Sequence, residues 1–145
     1  MLVSALDRAF VDSIDSLKEI ARSVDPALLY QRANDLSVGE QILRSAAVIE
    51  QTFGGLTANL WDDPFEWTLP ETLNTPAKML EYLGEVEDLR HRAFLAFGDD
   101  ADLSKEIMTP AGRTEILPFL LDTLNRARHH QQRARVVFEL LKTEH

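Results

Sequence analysis

Three observations predict an all-α fold, a four-helix bundle with long crossover connections. Four segments place apolar residues at alternating spacings of three and four, the signature of one buried helix face. No segment alternates apolar and polar residues over a strand's length. The stretches between the four segments carry the prolines and glycines that stop helices. The 145 residues suit one domain, 1–145, large enough to bury a core without staples.

The first helix is predicted over 4–24, where Leu6, Phe10, Leu17, Ile20 and Val24 form the stripe and Ser13 is its weak point. Asp25-Pro26 ends it, because the residue before proline resists the α region. A short turn and connector follow over 27–33. Ser37-Val38-Gly39-Glu40 reads as a capping box, in which serine accepts from the amide three residues on and glutamate returns to the serine amide. The second helix then carries Ile42, Ala46, Ile49, Phe53 and Leu56 on one face, with Ser45 beside it and Gly54-Gly55 weakening its end. Residues 61–75 are the least regular stretch, yet they hold Trp61, Phe65 and Trp67. A flexible linker would be poor in aromatics, so this loop is expected to be ordered. It either lies over one end of the core or forms a pocket wall or subunit contact. Thr75-Pro76 opens the third helix, with Leu80, Leu83, Val86, Arg90, Phe94 and Phe97 on its stripe and Gly98 as its predicted left-handed cap. His91, flanked by Glu87 and Asp88, reads as a surface ion pair. A connector over 98–112, with one turn at 103–107, leads to the last helix, which starts between Thr114 and Pro118 and runs nearly to the end.

Composition excludes several functions. With no cysteine there is no disulfide, thiolate metal site or cysteine nucleophile. The net charge of -9 disfavours nonspecific nucleic-acid binding, which needs basic surface against phosphate. Charged residues are scattered through 1–24, so this stretch is not read as a signal peptide, and no long apolar run predicts a membrane span. The expected compartment is the cytoplasm. No Gly-rich phosphate loop, nucleophile elbow or His-Glu-x-x-His pair is present.

The best candidate site lies in the last helix, whose stripe is Leu117, Leu120, Leu124, Ala127, Gln131, Ala134, Phe138 and Leu141. His130 falls at the edge of this stripe beside Gln131, Arg126 sits one turn earlier on the same side, and His129 points toward the polar side. The competing reading is a helix surface with ordinary solvated charges, to which Arg128, Arg133 and Arg135 also belong.

The helix opening Leu-Ser-Val-Gly-Glu-Gln-Ile-Leu-Arg-Ser-Ala-Ala-Val-Ile-Glu, the long connector, the third helix and then Arg-Ala-Arg-His-His-Gln-Gln-Arg-Ala-Arg resemble the DinB-like superfamily (DinB/YfiT-like metalloenzymes) over most of the chain. The resemblance implies a four-helix bundle with a long crossover, homodimeric in habit. It also implies a divalent metal held by a histidine on the second helix and two histidines four apart on the last. Characterised relatives of that kind include thiol-dependent S-transferases and a maleylpyruvate isomerase. Carried over residue by residue, the ligand positions are Ser45, Arg126 and His130, so this chain departs from the pattern at two of the three. Serine is a poor neutral ligand, and arginine has no lone pair to give. A guanidinium near a dication costs roughly 8 kcal/mol at about 4 Å and an effective dielectric near 20.

The resemblance therefore implies a degraded metal site, with His130 the one retained ligand, no cofactor, and a cavity lined by Ser45, Arg126 and His130 that takes a small anionic ligand without catalysis. In the alternative, the chain is a divalent-metal-dependent transferase or hydrolase (zinc or nickel) in which Glu50 or Asp122 stands in as ligand. On the degraded-site reading, restoring histidine at positions 45 and 126 is expected to gather three imidazoles around one metal.

Overall fold

The computed structural model describes residues 1–64 and 70–144, and it is mostly helical. Helix α1 is Leu2–Ser23, α2 is Val38–Ala58, α3 is Pro76–Leu95 and α4 is Ile116–Glu144, each within a few residues of its sequence-predicted bounds. The connector before α4 is richer than predicted. It holds a 3-10 helix, Asp100–Ser104, and an antiparallel hairpin of β1, Glu106–Thr109, with β2, Gly112–Glu115. The strands pair Glu106 with Glu115 and Thr109 with Gly112, around a tight turn at Pro110-Ala111 in which Gly112 takes φ +120°. Four-residue strands show too few alternations to register as a period, which is why the hairpin escapes the sequence reading. A second 3-10 turn, Pro26–Leu28, is capped by Asp25, whose carboxylate accepts from the Ala27 amide at 2.9 Å.

Helix ends follow local chemistry with two departures. Ser37 Oγ accepts from the Glu40 amide at 3.2 Å, as predicted, but the Glu40 carboxylate turns to Arg32 Nη2 at 3.3 Å instead of completing the box. Gly98 does not cap α3 in the left-handed region. The helix ends with Ala96 still right-handed, and the Gly98 amide donates to Asp102 Oδ2 at 2.6 Å. The first turn of α1 is capped from far along the chain, where the Asp100 carboxylate accepts from the Leu2 and Val3 amides at 2.9 Å each. Those bonds hold the Asp100 carboxyl below the usual range.

The predicted weak point at Gly54-Gly55 has a packing reason. A side chain on Gly55 would run into the Trp61 ring, which lies directly against the helix there, and Asn59 closes α2 in the left-handed conformation at φ 55°. Trp61 is held by its indole N–H, which donates to Asn59 Oδ1 at 2.8 Å, and by an edge contact with Phe119 at 5.7 Å between centroids. It therefore covers the junction of α2 with the first turn of α4. Phe65 and Trp67, grouped with it by the sequence, lie outside the described residues.

α2 packs most extensively on α4 and also on α3, while α1 packs on α3 and α4; α1 and α2 barely meet. Most stripe residues read from the sequence are core, while Leu56, Leu80, Phe97 and Leu117 are partly buried at its edge. Leu6, Phe10, Leu17, Ile42, Ile49, Phe53, Leu83, Val86, Leu120, Leu124 and Phe138 are all buried. Phe10, Phe53 and Phe94 come from three helices and meet with centroids 5.2–5.9 Å apart. Each such ring contributes roughly 1.5–3 kcal/mol by burial alone. One stripe residue is charged. Arg90 is 1% exposed, and its guanidinium donates to Asp7 Oδ1 at 2.5 Å and to both Glu87 oxygens at 2.7 and 2.8 Å. His91, read as the ion-paired residue of this turn, is exposed, and its neighbour Arg90 makes the pairs instead.

Candidate functional site between α2 and α4

A polar seam runs through the largest helix contact. His130 Nδ1–H donates to Gln41 Oε1 at 2.9 Å, Ser45 Oγ donates to the Ala127 carbonyl at 2.6 Å, and the Thr52 and Thr123 hydroxyls share a bond of 2.6 Å. Residue numbers rise on α2 as they fall on α4, so the two helices run antiparallel. On the other flank Ser13 of α1 donates to Gln131 Oε1 at 2.8 Å, which explains both polar residues set into otherwise apolar stripes.

His130 sits where two clefts meet. The larger, about 380 Å³, is walled by Arg32, Asp35, Leu36, Glu40, Gln41, Arg44 and Arg133. The smaller, about 120 Å³, is walled by Arg44, Ala47, Val48, Gln51, Asp63 and Arg126. His130 and Arg44 belong to both. The His130 imidazole is pushed down to about 4, first by burial and then by the charges of His129, Arg44, Arg133 and Arg126. It is therefore neutral at pH 7. The bond to Gln41 places its proton on Nδ1 and leaves the Nε2 lone pair available. The positive charge of the clefts comes from the arginines. Arg32 is held by Glu40 and by the Asp35 carbonyl, which accepts from its Nη1 at 2.8 Å. Arg126 is half-exposed and stands 3.8 Å from Asp122. Arg133 has no ion pair among the described residues.

The sequence-predicted site residues are only partly brought together. Arg126 and His130 face one cleft. Ser45 is fully buried between α2 and α4, its hydroxyl spent on the Ala127 carbonyl, and it lines neither cleft. Glu50 lies elsewhere, beside Tyr82, whose hydroxyl donates to it at 3.5 Å. Asp122 is exposed and engaged with Arg126. A three-ligand metal site needs three lone pairs converging on one point. Of the three carried-over positions, His130 alone offers a strong ligand: Ser45 is a weak neutral donor, buried and turned to the Ala127 carbonyl, and arginine has no lone pair to give; among the described residues no group of three or more His, Cys, Asp or Glu side chains could hold a metal ion. These residues do not fit the metal that the resemblance implies.

Arg44 and Gln41 are the residues that sequence reasoning missed. Both lie on the α2 face that meets α4, but only the register of the two helices shows that they reach His130. Arg133 is visible in the sequence as one turn beyond His130, where it reads as surface charge.

No helix among the described residues is long and apolar enough to cross a membrane. No family model matches the chain, and no curated protein is significantly similar to it.

Proposed function

We propose that the chain is a DinB-like four-helix bundle whose metal site is degraded, and that it binds a small anionic molecule, without catalysis, in the clefts around His130. The observation that carries this reading is the placement of Arg44, Arg126 and Arg133 around an uncharged imidazole, in a protein of net charge -9. Charge-assisted bonds from a guanidinium to a carboxylate or phosphate are the strong members of their class. The neutral imidazole adds a directed acceptor without adding charge. As in the family, the bundle would be a homodimer.

Calorimetric titration of inorganic phosphate and of acetate tests the reading. Saturable binding is expected for at least one anion, weakened at least fivefold by Arg133→Gln and by raised salt. Absence of saturable binding for both anions would remove the ligand class. Zinc or nickel should bring no chelator-reversible rise in melting temperature. Such a rise would mean that a working metal site exists and that the carry-over of ligand positions is misaligned.

A further inference from the structure

A separate cleft of about 330 Å³ opens on the other side of Gln51, between the C-terminal half of α2, the loop after it and α3. Its volume lies in the range of small-molecule sites, roughly 300–1,000 Å³. Most of the wall is apolar, from Gly54, Ala58, Leu60, Pro64 and Leu89, while Thr57 and a second acid, Asp62, also line it. The loop wall is fixed, because Gln51 Nε2 donates to the Trp61 carbonyl at 2.8 Å and Trp61 is itself held by Asn59 and Phe119. Leu60, at the rim, is 62% exposed and offers an apolar surface to a ligand.

Set into this apolar wall is Glu50, half-buried on α2. Its contact is the Tyr82 hydroxyl at 3.5 Å, a long hydrogen bond, and among the described residues no lysine or arginine pairs with it. Burial first, and the nearby Glu85 as a lesser cause, hold its carboxyl above the usual carboxylate range. A carboxylate placed in low-polarity surroundings without a counter-cation is a group that a cation relieves.

We infer that this cleft is a second binding site, distinct from the clefts around His130, and that it takes an organic cation: a protonated amine on an apolar body, its ammonium on Glu50 and its chain along Leu60 and Leu89. The ammonium supplies the missing counter-charge, and the body covers the apolar walls. The opposite charge of the two sites separates their ligands, since the arginines around His130 repel what Glu50 attracts.

The test uses three probes with one chain length: n-hexylammonium, n-hexanol and hexanoate, each titrated into the full chain at neutral pH and followed by amide chemical shifts and calorimetry. Hexylammonium is expected to bind saturably, at least tenfold tighter than hexanol, with shifts at Glu50, Gly54 and Leu89. Glu50→Gln keeps the shape and the bond from Tyr82, and it should weaken hexylammonium at least tenfold while leaving hexanol unchanged. Arg133→Gln should change neither. Hexanol binding as tightly as hexylammonium, an unaffected Glu50→Gln variant, shifts that map elsewhere, or absence of saturable hexylammonium binding would each overturn the assignment. If Glu50→Gln unfolds, the comparison of the three probes on the unmodified chain decides alone.

Discussion

Histidine at position 45 has no room. Ser45 is fully buried, and its hydroxyl satisfies a carbonyl on the facing helix, so an imidazole there would overpack the α2–α4 contact at a cost of about 1–3 kcal/mol. The sequence suggested that histidines at 45 and 126 would gather three imidazoles; the packing predicts instead that Ser45→His with Arg126→His lowers the melting temperature and that zinc does not restore it. Ser45→Ala should lose about 1 kcal/mol, the net value of one buried hydrogen bond, measured by chemical denaturation. His130 makes a pH prediction. Its folded value of about 4 lies below the ordinary 6.5, so the unfolded chain binds the extra proton between those values. Its contribution to stability is complete above about pH 6.5 and is lost as pH falls toward 4. Melting temperature should therefore drop more steeply across that window in the wild type than in His130→Gln, and parallel curves would show that the imidazole is solvated. Spacing alone placed His130 on the edge of the stripe. Its partner Gln41 is 89 residues away, and no local pattern reports a partner at that range.

At the scale of the helices, the apolar stripes were legible because period 3.6 persists over about twenty residues in each segment. Leu120 and Leu124, read as core, are 0% and 7% exposed, and truncating either to alanine should cost about 2–5 kcal/mol in denaturant unfolding. The stripe also put Arg90 on the buried face of α3, but not what neutralises it, because Asp7 belongs to α1. The tie has an asymmetry. Removing both acids, as in Asp7→Ala with Glu87→Ala, strands a charge that is 1% exposed and should cost about 3–5 kcal/mol. Arg90→Met leaves two partly solvated carboxylates and a side chain of similar reach, and it should cost distinctly less. Equal losses would mean that the pairing adds nothing beyond packing. The hairpin is illegible because its four-residue strands are too short to show a period, and the cap on α1 because Asp100 lies far along the chain from the Leu2 and Val3 amides it caps.

Across the whole molecule, the proposed homodimer is tested by one measurement. Light scattering at micromolar concentration should give about twice the chain mass of 16.4 kDa. A clean monomer would leave the Trp61 end of α2 and α4 as a lid on the core with no role between subunits. The acidic surface favours solubility over indiscriminate association, so a dimer requires a defined patch.

The near absence of contact between α1 and α2 also constrains how the chain comes to be folded. Two helices that are neighbours in sequence but meet mainly through Phe10 and Phe53 make a poor hairpin, so a nascent chain that has reached only the end of α2 has little to hold it together. α1 finds its partners only when α3 has been made, and α2 loses its largest contact until α4 exists. The apolar stripes of the first two helices thus lack their main partners until α3 and α4 have been made, the interval in which an unfinished chain aggregates or is bound by a chaperone.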